Sequence, residues 1–288
     1  MNEWNDAKGR LMEWDKIEEH QGALIQHGPN NKRTYLMKLG NADPVNVVKH
    51  LHELCIHNGY TKAFAKVPNS KASCFLAAGW NIEAFVPGLY KGELDGVFLS
   101  RYYDPERRKV EPGHFDALCA MMGTVGREGS RPLPESLHAR DCTAEDAVKM
   151  AALYSEVFER YPFPIHEPDY LRSTMDDNIE YFGIWEGENL VALSSAEKDV
   201  AHGNVEMTDF AVSPDYRGLG LGLLLLNQMD AAMIERGIKT AYTIARMRSK
   251  GMNATFLKAG YRFSGTLFRN TFISEGLESM NVYYKKLQ

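Results

Sequence analysis

The chain has 288 residues, enough for one large or two modest domains, and its 44% hydrophobic and 25% charged content is that of a soluble globular protein. A net charge of −5 with no offsetting basic cluster argues against nucleic acid as a partner, and no apolar run approaches the roughly 20 residues that span a bilayer. Met1–Arg10 is polar with no signal-peptide core, and Cys55, Cys74, Cys119 and Cys142 form no Cys-x-x-Cys pair, which predicts free thiols in a reducing cytoplasm.

The first predicted helix starts at Gly40-Asn41-Ala42-Asp43-Pro44, with proline near the first helical position. Asn58–Ala65 reads as a helix end running into a strand, and Phe75–Trp80 as a short helix closed by Gly79. Asn81–Tyr90 and Gly96–Tyr103 are aromatic-rich strands suited to antiparallel pairing. His50, His52 and His57 have no acidic or cysteine partner at ligand spacing, so they predict surface histidines and no metal site. Asp104–Pro134, with Arg107-Arg108-Lys109 and scattered proline and glycine, reads as a linker with one short helix around Phe115–Met122.

Ser136–Cys142 is a predicted strand, and Thr143 caps a helix through about Glu159 that Tyr161-Pro162-Phe163-Pro164 must break. A shorter helix follows near Pro168–Asp176, then a hairpin of Glu180–Trp185 and Asn189–Lys198 around Glu186-Gly187-Glu188. Val205–Val212 is a strand, and Gly218–Arg236 a long helix stopped by Gly237. Between strand and helix, Gly218, Gly220 and Gly222 alternate. Glycine has no Cβ to hold a phosphate away from the backbone N–H groups, and a helix start adds roughly half a positive charge at the same place. The spacing fails the dinucleotide pattern Gly-x-Gly-x-x-Gly, and no Gly-Lys-Ser/Thr follows for a nucleoside triphosphate.

Two blocks echo each other. Asn58–Ala65 matches Arg236–Thr243 in pattern, Phe75–Trp80 matches Phe256–Tyr261, and each is followed by two extended runs, Arg262–Phe272 and Ser279–Lys286 in the second copy. The first copy has no counterpart of Arg217–Gly222. An α/β protein with a mixed sheet is predicted, divided into a degenerate module at residues 1–110, a linker at 111–134 and a catalytic module at 135–288. The first module is expected to pack, gate the substrate or support a homodimer.

Arg217, Gly220 and Gly222 form Arg-x-x-Gly-x-Gly, which resembles the pyrophosphate loop of the GNAT N-acetyltransferases. The resemblance implies that family's fold, complete in the C-terminal half and partial in the N-terminal half, with acetyl-CoA as cosubstrate and no metal. It assigns Arg217, Gly218, Leu219, Gly220, Leu221 and Gly222 to the pyrophosphate, and the backbone of Phe210, Ala211 and Val212 to the pantetheine arm. The family's asparagine on the late helix falls at Ser249, with Asn253 one turn on as a substitute. Its tyrosine, the acid that protonates the departing thiolate, is replaced by Phe256, which has no proton to give.

Amine acetylation requires a free amine and donors for the thioester oxygen. An ammonium of pKa about 10.4 pays about 4.6 kcal/mol at neutrality to present its free base. Glu206 and Asp209 are the candidate bases, expected on opposite faces of their strand by its two-residue period. Glu206, four residues before Phe210, matches the position of the base in histone-type members of the family and is favoured, with Asp209 binding the substrate ammonium or replacing it.

Three segments, Tyr161–His166, Glu206–Ala211 and Gly276–Val282, together with Tyr60–Val67 and Phe75–Gly88, resemble a narrower branch, the β-lysine N-acetyltransferases. That resemblance implies β-lysine as acceptor and Nε-acetyl-β-lysine, a compatible solute, as product. Tyr161 and Phe163 are expected to wall the aliphatic stem, with Thr208 beside them; Asp209 and Glu278 to meet the ammonium; and Arg269, Asn270, Ser279 and Asn281 to meet the carboxylate. Another small amine (a polyamine, lysine or an aminoglycoside) and a non-catalytic acetyl-CoA sensor are the alternatives.

Overall fold

The computed structural model describes residues 3–5, 11–13, 15–110, 112–126, 132–273 and 276–287; positions 111 and 127–131 of the expected linker, and most of Met1–Arg10, lie outside the described residues. Strands β1 (Glu3–Asn5) and β2 (Leu11–Glu13) pair with each other. The first half continues with β3 (Lys16–His20), β4 (Ala23–Gly28), β5 (Arg33–Lys38), α1 (Pro44–Asn58), β6 (Lys62–Pro68), α2 (Ala72–Ala77), β7 (Asn81–Tyr90) and β8 (Leu94–Tyr102). Helix α3 (His114–Thr124) is the short helix expected in the connection. The second half comprises β9 (Leu137–Asp141), α4 (Ala147–Val157), α5 (Pro168–Asp176), β10 (Ile179–Glu186), β11 (Asn189–Asp199), β12 (Asn204–Val212), α6 (Leu221–Glu235), β13 (Thr240–Arg246), α7 (Lys250–Lys258), β14 (Arg262–Ile273) and β15 (Gly276–Lys286).

Local chemistry sets the helix ends. Asp43 caps α1 by accepting from the Val45 N–H, Pro44 occupies its first turn, and Gly59 ends it at φ +66°. Thr143 and Asp146 form a capping box ahead of α4, and Arg140 locks the Asp146 carboxylate from outside at 2.7 Å. Helix α6 begins at Leu221, three residues later than predicted. Gly218 and Gly220 hold φ of +86° and +78°, values that no right-handed helix contains, so they form the turn and not the first helical residues.

Strands β3 to β15 make one mixed sheet of 13 strands in the order β3-β4-β5-β6-β8-β7-β14-β15-β13-β12-β11-β10-β9. The repeat is deeper than the sequence echo. In each half an antiparallel three-strand meander feeds a helix and a parallel neighbour (β5 beside β6, β12 beside β13), and the last strand of the half pairs antiparallel with that neighbour. The halves join through the corresponding strands β7 and β14, in register at Ala84 and Gly265. A Cβ at Gly265 would lie 2.0 Å from the Glu83 carbonyl oxygen, so only glycine permits this join.

Alternation along β6 turns one face inward and one toward the other half. Ala63, Ala65 and Val67 pack with α1 and α2. Lys62, Phe64 and Lys66 face the C-terminal half: Phe64 clusters with Tyr242, Leu267 and Val282, while Lys62 donates to the Phe268 carbonyl oxygen. Among the described residues no helix is long and apolar enough to cross a membrane.

Candidate active site

Strands β12 and β13 are parallel and in register over only three pairs, Asn204–Glu206 against Thr240–Tyr242. Beyond them the strands part, and a cavity of about 610 Å³ opens between them. Its walls are Phe210 and Val212 from β12, Thr243–Arg246 from β13, Arg217, Gly218, Gly220, Leu221 and Gly222 from the turn and α6, Ser249, Thr255 and Phe256 from around α7, and Tyr161, Ile273 and Met280 at the far end. The parting leaves the inner edge of β12 without a strand partner beside Phe210 and Val212, so an extended amide chain can add there as a strand.

The turn at one end fits a pyrophosphate. Among the described residues the N–H groups of Gly218, Leu219 and Gly220 reach no backbone carbonyl, and the space around both positive-φ glycines is open to 4 Å. With the α6 N-terminus behind them, these donors make an anion cradle. Arg217 borders it, its Nε donating to the Val212 carbonyl oxygen at 3.4 Å. Leu219 is exposed and Ala211 is packed away from the cavity in the cluster under α4. Replacing Gly220 by Val forces a β-branched residue to φ +78°, which costs about 1–2 kcal/mol. The expected result is a rise of about tenfold or more in KM for acetyl-CoA with little change in kcat; an unchanged KM would count against the cradle.

A β-bulge rearranges the other end. The β11–β12 register shifts between Leu193 and Ser195, and Asp209 sits in the bulge at φ +56°. The two-residue period breaks there: Val205 and Met207 share the core under α6 with Phe210, whereas Ala211 joins the core under α4. The opposite-face expectation for Glu206 and Asp209 is therefore wrong, because the extra residue turns Asp209 to the face that carries Glu206. Asp209 accepts from Ser195 Oγ at 2.6 Å and from the Tyr161 hydroxyl. Burial raises the carboxyl of Asp209, against the pull of Ser195, Tyr161 and Thr208. Burial also raises Glu206, opposed by the Lys66 cation and a hydrogen bond from Tyr242. Directly across from Glu206, in register on β11, stands Glu197, pushed well up by burial and then by Glu206 and Asp209. Three desolvated carboxylates share one pit, a surrounding that favours a bound cation.

The structure brings together some of the residues singled out from sequence and disperses others. Tyr161, Thr208, Asp209, Phe210, Val212, Ser249 and Phe256 line the cavity, whereas Glu206, two positions before Thr208 on β12, is not among its lining residues. Asn253 is spent elsewhere: its Nδ2 donates to the Arg246 and Ser249 carbonyl oxygens, and its Oδ1 accepts from Asn281 and Tyr283. It has no capacity left for a cofactor, and Asn281, buried, turns to Asn253 and Thr266 and does not line the cavity. Asn270 is buried with its backbone carbonyl oxygen held by Arg33, and Ser279 Oγ accepts the Arg269 N–H; neither residue lines the cavity. Phe163 packs under α4. The Glu278 carboxylate is paired with Arg246 at 2.5 Å, so it cannot serve as a free site for an ammonium. Phe256 is core, edge-on to Phe210 with ring centroids 5.5 Å apart. Sequence reading missed Glu197, Lys66 and Arg246. The only signal for Glu197 was its place opposite Glu206 in the hairpin-plus-strand register.

A parted parallel strand pair, a glycine cradle at a helix start and carboxylates at the far end define an acyl-CoA-dependent amine transferase. The Acetyltransferase (GNAT) family matches over residues 148–261. The Beta-lysine N(6)-acetyltransferase of Methanococcus maripaludis is 39% identical over 273 residues, 94% of this chain and 98% of the relative. N-acetyltransferase YodP of Bacillus subtilis is 33% identical over 71% of this chain and 74% of its own, and the Beta-lysine N(6)-acetyltransferase of Methanosarcina mazei is 38% identical over 56% and 59%. The chain belongs to the GNAT family and is an acetyl-CoA-dependent N-acetyltransferase, with that fold in its C-terminal half.

Proposed function

We propose that the chain acetylates the side-chain amine of β-lysine. The observation that carries this reading is the acidic pit of Glu197, Glu206 and Asp209, of which Asp209 lines the cavity and Glu197 stands in register opposite Glu206. A diamino acid presents two ammonium groups, and the carboxylates of the pit match that charge. Similarity along 94% of the chain to a Beta-lysine N(6)-acetyltransferase supports the same acceptor.

Acetyl-CoA supplies a thioester whose C–S bond breaks as the amine nitrogen bonds to the carbonyl carbon, the sulfur leaving with the electron pair and taking the proton shed by the new amide. Gly218–Gly222 and Arg217 hold the pyrophosphate, and the free edge of Phe210–Val212 holds the pantetheine arm, with the Val212 N–H toward the thioester oxygen. Ser249 hydrogen-bonds the cofactor beside them. Asp209, fixed by Ser195 and Tyr161, holds the reacting ammonium, and Tyr161 walls its alkyl stem. Glu206 accepts one proton from that ammonium through water and releases it to solvent. A carboxyl raised toward neutrality by burial is a better base than a solvated glutamate. Residues 1–110 form a supporting module and 135–288 the catalytic one, joined through 111–134.

CoA-thiol release with acetyl-CoA and a panel of β-lysine, α-lysine, spermidine and an aminoglycoside tests the acceptor. β-Lysine is expected to lead by tenfold or more in kcat/KM, about 1.4 kcal/mol of discrimination. Equal or better turnover of spermidine would replace the diamino acid with a polyamine.

A further inference from the structure

The N-terminal half has no cofactor loop, yet it sends one cation to the catalytic pit. Lys66, on the face of β6 that looks toward the C-terminal half, donates from Nζ to the Tyr242 hydroxyl at 2.6 Å, and its Nζ lies 4.9 Å from the centre of that ring. Tyr242 is fully buried on β13, in register beside Glu206 on the neighbouring parallel strand, and its hydroxyl draws the Glu206 carboxyl down against the push of burial. A chain of three residues thus runs from one half of the protein to the candidate base in the other: Lys66 to Tyr242 to Glu206.

The charges around Glu206 come from several strands. On its own strand there is Asp209, and Glu197 stands opposite on β11. Tyr242 reaches it from β13, Lys66 from β6, and the Tyr35 hydroxyl, raised by burial and then by Glu206, lies near on β5. Lys66 in turn feels Glu206, Asp199, Glu197 and Lys38, and the last of these sits 4.0 Å from Asp199 at the rim. Two carboxylates directly opposed across a strand pair repel each other. Lys66 is the cation that opposes this repulsion at both Glu197 and Glu206, even though burial lowers its own affinity for the proton.

We propose that Lys66 is a positioning residue for catalysis: from the N-terminal half, and through the Tyr242 hydroxyl, it holds Glu206 as the ionised base that takes the acceptor ammonium's proton. The proposal rests on the reading of Glu206 as base and gives the degenerate half a chemical task. The proton balance is unchanged: the ammonium loses one proton, the Glu206 carboxylate gains it, and Lys66 and Tyr242 keep theirs.

The test is the pH dependence of kcat/KM in the full-length enzyme for Lys66→Met, Lys66→Arg and Tyr242→Phe. Loss of the cation or of the hydroxyl raises Glu206, so the acidic limb is expected to move to higher pH, by a unit or more in Lys66→Met. On that limb, a fixed pH then reads a drop of about tenfold in kcat/KM, with KM for acetyl-CoA unchanged. Lys66→Arg is expected to restore the limb. If Lys66→Met fails to fold by circular dichroism, Tyr242→Phe, which removes a single oxygen, carries the same test. An unmoved limb in the folded variants overturns the proposal. Glu206→Gln measured alongside separates the two ideas: full turnover there overturns Glu206 as base, whereas its loss with an unmoved limb in Lys66→Met overturns the role of Lys66 alone.

Discussion

Glu206→Gln is expected to lower kcat for amine acetylation by about 10²- to 10⁴-fold, the usual contribution of a general base, with KM for acetyl-CoA nearly unchanged. The substitution keeps the shape of the side chain and the bond from Tyr242 but removes the proton acceptor. Its effect should shrink at alkaline pH, where more of the acceptor amine is already free: an amine of pKa about 10.4 gains a tenfold larger free fraction for each pH unit between 7 and 10. Asp209→Asn distinguishes the two carboxylates. Asp209 is held by Ser195 and Tyr161 at the cavity wall, so its loss is expected mainly in KM for the amine. A larger fall in kcat for Asp209→Asn than for Glu206→Gln would exchange their roles.

The second large effect belongs to stability. Lys62 is fully buried, and its Nζ lies 2.9 Å from Glu83 Oε2, itself 3% exposed. Glu83 also accepts from Ser100 Oγ, from the Tyr102 hydroxyl and from the Phe268 N–H of β14, so one carboxylate ties the sheet of the first half to a strand of the second. Glu83→Ala leaves the ammonium with one carbonyl oxygen as partner. Breaking a buried pair by removing one member costs about 3–5 kcal/mol, which in a chain of this size lowers Tm by about 10 °C. Burial has already lowered Lys62 from 10.5 to about 8 in the intact pair. Folded Lys62 therefore gives up its proton before the unfolded chain does. Between about pH 8 and 10.5 the unfolded state binds more protons, and stability from this group rises with pH. Without Glu83 the folded value falls further, so the loss should be largest near pH 7 and partly recovered at pH 9.5. Denaturant titrations at the two pH values measure this; a loss under 1 kcal/mol, or one indifferent to pH, would show that the seam does not depend on the pair.

Much of the site could be read along the chain because its chemistry is local. A glycine turn between a strand and a helix is a matter of adjacent residues: Gly218 and Gly220 take positive φ wherever the rest of the fold goes, and α6 follows from the apolar run after them. The helix caps, the hairpin at Glu186-Gly187-Glu188 and the paired blocks of the repeat are local in the same sense. The catalytic pit is not. Its parity depends on a bulge at Asp209, which period-two counting cannot anticipate, since a single extra residue moves the side chain to the other face. Glu278 and Asn253 look free in one dimension and are consumed by partners 32 and 28 positions away, Arg246 and Asn281. Lys66 and Tyr242 stand 176 residues apart and meet because β7 pairs with β14 and folds one half of the sheet against the other. Which phosphate-binding turn the protein carries was fixed by backbone conformation within a few residues. Which carboxylate can act as base, and which cation sustains it, was settled by burial and charge across the seam, and those exist only once distant strands are packed.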